Sequence, residues 1–149
     1  MPWVILVAVG AVFLYAWASA SIDGNGGEEL ATTLTRKIAE AIAVAEGWFH
    51  PSGTAVPQRA NNPGNLKLPE NPLGDIGGKT IFATAEEGWA ALDRQINFIL
   101  TGQSRYYTPD MTIFQVAQIY TGGDNAQAWA NIVAGKLGVT PDTPIKEVA

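Results

Sequence analysis

Glu46 is the carboxylate of this chain best placed to do chemistry, because it closes an apolar helical repeat. Leu34, Ile38 and Ile42 recur every four residues, Ala41 and Ala45 widen the stripe, and Gly47 follows as the residue most often found just past a helix end. Glu46 lies one turn after Ile42, at the edge of the buried face. The last turn of a helix disfavours negative charge, and the adjacent Trp48 and Phe49 are expected to strip water from the group. Both effects favour the protonated acid that a proton donor at a cleft requires. The bland alternative is a terminal Glu turned to water.

Other chemistries are poorly supplied. Cysteine is absent, so there is neither a disulfide framework nor thiolate chemistry. His50 is the single histidine, which excludes a Cys/His metal cluster, and it reads as a loop residue. No phosphate-binding loop or nucleotide fingerprint is present, and no cofactor or metal is expected. A net charge of −5 argues against nucleic acid as a partner, since phosphate binding needs clustered Lys and Arg. A second carboxylate to work with Glu46 is hard to find. Asp75 sits in the Gly-rich turn GDIGG, Glu70 lies among prolines, and Glu86 and Glu87 suit a first helical turn.

The segment after the helix, Arg59-Ala60-Asn61-Asn62-Pro63-Gly64-Asn65-Leu66, resembles the RNNNPGNL-type motif of phage and bacterial lysozyme-like proteins. There the motif follows an "AEG" or "EG" helix end by a short loop, as it does here. The wider group is the goose-type lysozyme and lytic transglycosylase superfamily. The likeness covers roughly twenty residues; Ala60 stands where many relatives carry another Asn, and the GLMQ motif of the best-known transglycosylases is missing. The resemblance implies a peptidoglycan-cleaving enzyme with Glu46 as its catalytic acid, acting on glycan strands. Because such sequences are often phage proteins, it also suggests a virion component that opens the cell wall during entry. The string Gln118-Ile119-Tyr120-Thr121-Gly122-Gly123-Asp124 loosely resembles the "YN-G" segment of lytic transglycosylases, which implies a Tyr120 hydroxyl facing the cleft. Tyr120 reads equally well as a core residue at a helix end. Asn61, Asn62 and Asn65 are the other expected substrate contacts, although Asn-Pro-Gly-Asn is also a turn sequence in which Asn side chains bond their own backbone. The competing class is a non-enzymatic, wall-binding or structural protein with a lysozyme-like fold.

The elements that must position these residues are mostly helical. Thr84-x-x-Glu87 reads as a capping box opening a helix with Trp89, Leu92, Ile96, Ile99 and Leu100 on its stripe. Thr112-x-x-Gln115 caps the next, with Ile113, Val116 and Tyr120 on its face. Asp124 is expected to cap a third, with Trp129, Ile132, Val133 and Leu137 inward and Gly138 ending it. Residues 65–68 and 80–83 have short β-like patterns around the 74–78 turn, and the tail from Thr140 should be extended. The expected fold is α+β, mostly α and lysozyme-like, over residues 33–149.

Ahead of it, Trp3 to Ala20 carries no charge over 18 residues, about 27 Å as a helix and just enough to cross a bilayer. Residues 1–21 are therefore expected to be a single-pass transmembrane anchor and residues 22–32 a linker. The domain would then face the periplasm or cell wall, or sit in a virion membrane. A cleaved signal peptide is the rival, because Ala18-Ser19-Ala20 fits the small-residue cleavage pattern. Oligomeric state is not legible.

Overall fold

The computed structural model describes residues 25–148. Their chain order is helix α1 (Asn25–Glu46), one-turn helix α2 (Val56–Arg59), strands β1 (Asp75–Ile76) and β2 (Lys79–Thr80), then helices α3 (Ala85–Leu100), α4 (Ile113–Tyr120) and α5 (Ala126–Leu137), with a final 3-10 turn over Ile145–Glu147. The fold is α+β and mostly α, with one two-stranded antiparallel sheet. The chain divides into two compact units, Met1–Thr32 and Thr33–Ala149. Of the first, the described part is helical from Asn25 onward, in a stretch whose composition reads as linker.

Among the described residues, no helix is long and apolar enough to cross a membrane. The longest, α1, carries Glu28, Glu29, Arg36, Lys37, Glu40 and Glu46, far too many charges for a hydrocarbon layer. The expected single-pass, membrane-anchored localisation is therefore corrected: it is not supported. Residues 3–20, on which that expectation rested, lie outside the described residues.

In the second unit, the apolar stripes read from the sequence meet in one core. Ile38 and Ile42 of α1, Leu92, Ile96 and Ile99 of α3, Ile113 and Val116 of α4, and Trp129 and Val133 of α5 are all buried. Each such side chain contributes about 1.5–3 kcal/mol of hydrophobic driving force. Phe98, just off its stripe, is largely exposed, and so is Ile132, which the helical repeat had placed inward. Arg36 pins α1 to α3: its Nη2 donates to Asp93 Oδ2 at 2.6 Å, and its guanidinium sits 5.0 Å from the centre of the Trp89 ring.

Helix starts follow the expected chemistry with two differences. At α4 the capping box is complete, Thr112 and Gln115 each accepting the other's backbone N–H. At α3, Thr84 Oγ1 accepts from the Glu87 N–H, but the Glu87 carboxylate takes the N–H of Ala83, one residue earlier than a capping box places it. At α5 the cap residue is Asn125, at φ 58°, with no side-chain cap bond, so Asp124 does not cap the helix. The left-handed backbone turns the chain into α5 without a side-chain oxygen, and Asp124 stays exposed.

The sheet is tighter than the sequence pattern suggested. Ile76 pairs with Lys79 across Gly77 and Gly78, at φ 60° and 77°, which is the two-residue turn that matches strand twist. Asp75 Oδ1 accepts the Gly78 N–H at 2.9 Å, closing that turn. Residues 65–68 do not form a strand; they attach through single bonds, the Thr80 N–H to Leu66 O and the Leu68 N–H to Thr80 Oγ1. The tail is also more engaged than an extended end. Thr143 O and Pro141 O accept the first N–H groups of α4, from Ile113 and Phe114, while Ile145 and Val148 are buried. These bonds satisfy donors that a helix start otherwise leaves open.

Candidate active site

Glu46 is the last residue of α1, and the chain turns away at Gly47, φ 84°, with the Trp48 N–H returning to Ala43 O at 2.9 Å. This six-to-one closure is the Schellman ending that glycine permits. It leaves the carboxylate half-buried on the wall of a groove of about 870 Å³. Trp48 and Phe49 turn elsewhere, packing around Trp89 at 5.9 and 6.5 Å between ring centres, and neither lines the groove. The expectation that they desolvate Glu46 is corrected by that packing. Gln58 holds their loop in place, its Nε2 donating to Trp48 O and His50 O. His50 is exposed, bonded to Ser52, and stands apart from the groove.

The carboxylate is gripped from two distant points of the sequence. Trp129 Nε1–H on α5 donates to Glu46 Oε1 at 2.8 Å, and Asn65 Nδ2 donates to Oε2 at 3.0 Å. Charge-assisted bonds of this kind are roughly twice as strong as neutral ones. Trp129 is itself 5% exposed, so the direction of its indole N–H is fixed by the core. The sequence alone marked Trp129 only as a core residue. An indole N–H needs a partner when buried, but nothing local indicates that the partner is 83 positions away.

The Asn-rich loop divides into structure and site. Asn62 is fully buried: its Nδ2 donates to Leu66 O and Thr80 O, and its Oδ1 accepts the Leu66 N–H. Asn61, at φ 51°, donates to Phe82 O and Ala83 O. Neither lines the groove: the polar atoms of Asn62 are spent within the loop and on β2, and those of Asn61 on the segment after β2. Asn65, at φ 52°, is the one that reaches Glu46 and lines the groove, and its Oδ1 is buried without a partner. Such an orphan is uncommon enough to call for a role.

Tyr120 also lines the groove beside Glu46, but its O–H donates to Gly64 O, and its ring lies 5.1 Å from that of Trp129. Burial first, then the charges of Glu46 and Tyr107, hold its phenol well above the ordinary range. It remains a neutral donor at any physiological pH, bracing both the Asn-Pro-Gly loop and the indole that grips the acid. Gly64 must be small for this: a Cβ there would lie 2.7 Å from Leu92 Cδ1 and 3.1 Å from the Tyr120 oxygen.

The groove also carries Asp124, Lys67 and Lys79, and the exposed apolar side chains of Tyr106, Ile119 and Ile132. Asp75 does not reach it, being occupied in the hairpin turn. Among the described residues, no group of three His, Asp or Glu side chains is placed to hold a metal ion.

Fold and site together define a class: a mostly helical α+β protein whose groove presents one oriented carboxylate at a helix end. Compared with known protein families, curated proteins and solved structures, the chain matches none.

Proposed function

We propose that this protein cleaves peptidoglycan glycan strands as a lysozyme-like enzyme of the goose-type lysozyme and lytic transglycosylase superfamily, with Glu46 as general acid. The observation that carries the reading is the double grip on Glu46 by Trp129 and Asn65 at the wall of an open groove. A solvated helix-end Glu has no use for a buried indole donor.

In this reading, Glu46 gives its proton to the glycosidic oxygen as the C–O bond breaks and positive charge develops on the ring. The carboxylate left behind is the form that the Trp129 and Asn65 N–H groups stabilise. Before the transfer, rotation of the Asn65 amide exchanges donor for acceptor, so that the same side chain can serve the carboxylic O–H. Glu46 then removes the proton of the sugar's own 6-hydroxyl, whose oxygen closes on the anomeric carbon to leave a 1,6-anhydro end. Asn61 and Asn62 act here as scaffold, and Tyr120 as a brace for Trp129.

Hydrolysis is the second reading, favoured by the exposed carboxylate of Asp124 on the same groove. In that route Asp124 activates a water against the ring. Mass spectrometry of digested sacculi separates the two, since anhydro ends are one water lighter than reducing ends. Reducing ends that vanish in Asp124→Asn select hydrolysis.

The primary test is Glu46→Gln, which keeps shape and removes the transferable proton. Cleavage of purified sacculi should fall by ~10² or more, with the circular dichroism of the wild type retained. Equal cleavage by the two proteins overturns the enzymatic reading and leaves a wall-binding module.

A further inference from the structure

We propose that Lys79, with Lys67 beside it, is the specificity-determining anion site of the groove, taking a carboxylate carried by the glycan strand. The inference rests on the functional reading above and names what that groove selects.

Both lysines line the groove that holds Glu46, in a chain whose net charge is −5. Lys79 is fixed more firmly than a surface lysine. It begins β2, immediately after the two-glycine turn, and its neighbour Thr80 is buried and bonded to Leu66 O and Leu68 N. No protein group pairs with the ammonium: among the described residues the ion pairs are Arg36–Asp93 and Lys146–Asp110, and no side-chain hydrogen bond involves Lys79 or Lys67. Burial lowers the Lys79 pKa, the Glu46 charge opposes that, and the Lys67 charge adds a smaller lowering. Two cations thus share the groove, and the charge that acts against theirs is that of Glu46, which Trp129 and Asn65 already hold. A fold that tolerates this cost leaves a place where a ligand carboxylate relieves it.

The chemistry of lysine suits such a ligand. Its ammonium is a compact point charge with three donors, able to meet a carboxylate that arrives at variable angle. On a peptidoglycan strand that carboxylate has two sources: the lactyl group of a stem-free muramyl residue, or a carboxyl of the peptide stem attached through it. Neutral N-acetylglucosamine oligomers have neither. Lys79 therefore separates strands by charge in the groove where Glu46 protonates the glycosidic oxygen, while the groove's apolar side chains accept the sugar rings of both.

The test uses the full chain carrying Glu46→Gln, so that binding is read without cleavage, with and without Lys79→Met. Calorimetry compares stem-free strands, stem-bearing strands, stem-bearing strands with amidated carboxyls, and neutral N-acetylglucosamine oligomers. Lys79→Met should weaken an acidic strand about tenfold and leave the neutral and amidated ligands unchanged, and Lys79→Arg should restore most of the loss. The acidic strand that responds identifies the source, lactyl or stem. Equal weakening of acidic and neutral ligands, or no weakening of either acidic strand, overturns the anion site while leaving the glycan reading in place. Failure of the Glu46→Gln protein to bind any of the four ligands overturns that reading and the anion site with it.

Discussion

Gly88→Ala should destabilise this protein although the same change in a helix ordinarily does the opposite. Gly88 lies in the first turn of α3, and a Cβ built there would stand 1.9 Å from Asn61 O, 3.0 Å from Asn61 C and 2.8 Å from Pro63 Cδ. Even a close C–H···O contact keeps roughly 3.3 Å, so α3 or the loop must retreat by about 1.4 Å. Retreat is opposed on both sides. Asn61 is held at φ 51° by its two bonds to Phe82 O and Ala83 O, and α3 is held by Leu92 and Ile96 in the core. Overpacking against backbone costs about 3 kcal/mol and a strained Asn61 bond about 1 more, while the gain in helix propensity returns about 1. The expected net loss is about 3 kcal/mol, with a fall in Tm on the order of 10 °C for a chain of this size. Gly135 in α5 is the control: a Cβ there meets nothing within 4 Å, so Gly135→Ala should stabilise by ~0.5–1 kcal/mol. Urea denaturation of the two variants beside wild type gives opposite shifts in midpoint. A Gly88→Ala protein as stable as Gly135→Ala would refute the close approach of α3 to the Asn-Pro loop.

Three further outcomes follow from the same geometry. Trp129→Phe removes the donor to Glu46 Oε1 while keeping an aromatic ring; sacculus cleavage should drop ~10-fold or more, and undiminished activity at full solubility would show that the indole is only packing. Lys79→Met should leave the denaturation midpoint at pH 7 unchanged or raise it, because the folded state holds this ammonium at a cost. The depressed pKa makes the unfolded chain bind more protons as pH climbs towards 10.5, so wild-type stability contributed by this group rises through that window and the variant lacks the rise. Asp93 has the mirror-image behaviour: burial raises its carboxyl pKa against the pull of Arg36, with Glu40 adding to the rise. The native state therefore takes up this proton at a higher pH than the unfolded chain does, so the group adds stability as pH falls towards 3.8, and Asp93→Asn should abolish that acid-side contribution in a pH series of urea midpoints.

Helices were legible because their signals are local. The four-residue repeat through Ile38 and Ile42, Gly47 as stop, and Thr112 with Gln115 as a start each depend on neighbours within a turn or two. The hairpin was legible as a turn but misjudged in extent, since Gly77-Gly78 closes it after two residues and the rest of the pattern is spent on single bonds to Leu66 and Leu68. The placement of Glu46 at a helix end was readable; what surrounds it was not. Trp48 and Phe49, adjacent in sequence, point to Trp89, while the partner that matters comes from α5. The three asparagines could not be sorted by type, because a left-handed Asn that ties down a loop and one that reaches a carboxylate have the same local sequence. Asp124 reads as a cap from sequence, and only the φ of 58° at Asn125 frees it to face the groove.

The grip on Glu46 has a consequence for the order of events in the life of the chain. Its two clasps come from residues 19 and 83 positions downstream, and the second is set by a core that needs α5 closed on α4. A nascent or partly opened chain carries the acid long before it owns the indole. Damage away from the groove, such as a nick in the exposed loop over residues 50–54, which does not line it, should therefore silence the site as completely as a change within it. The carboxylate is gripped only by the finished fold, so that under the proposed function cleavage becomes a report on whether the last helix has docked.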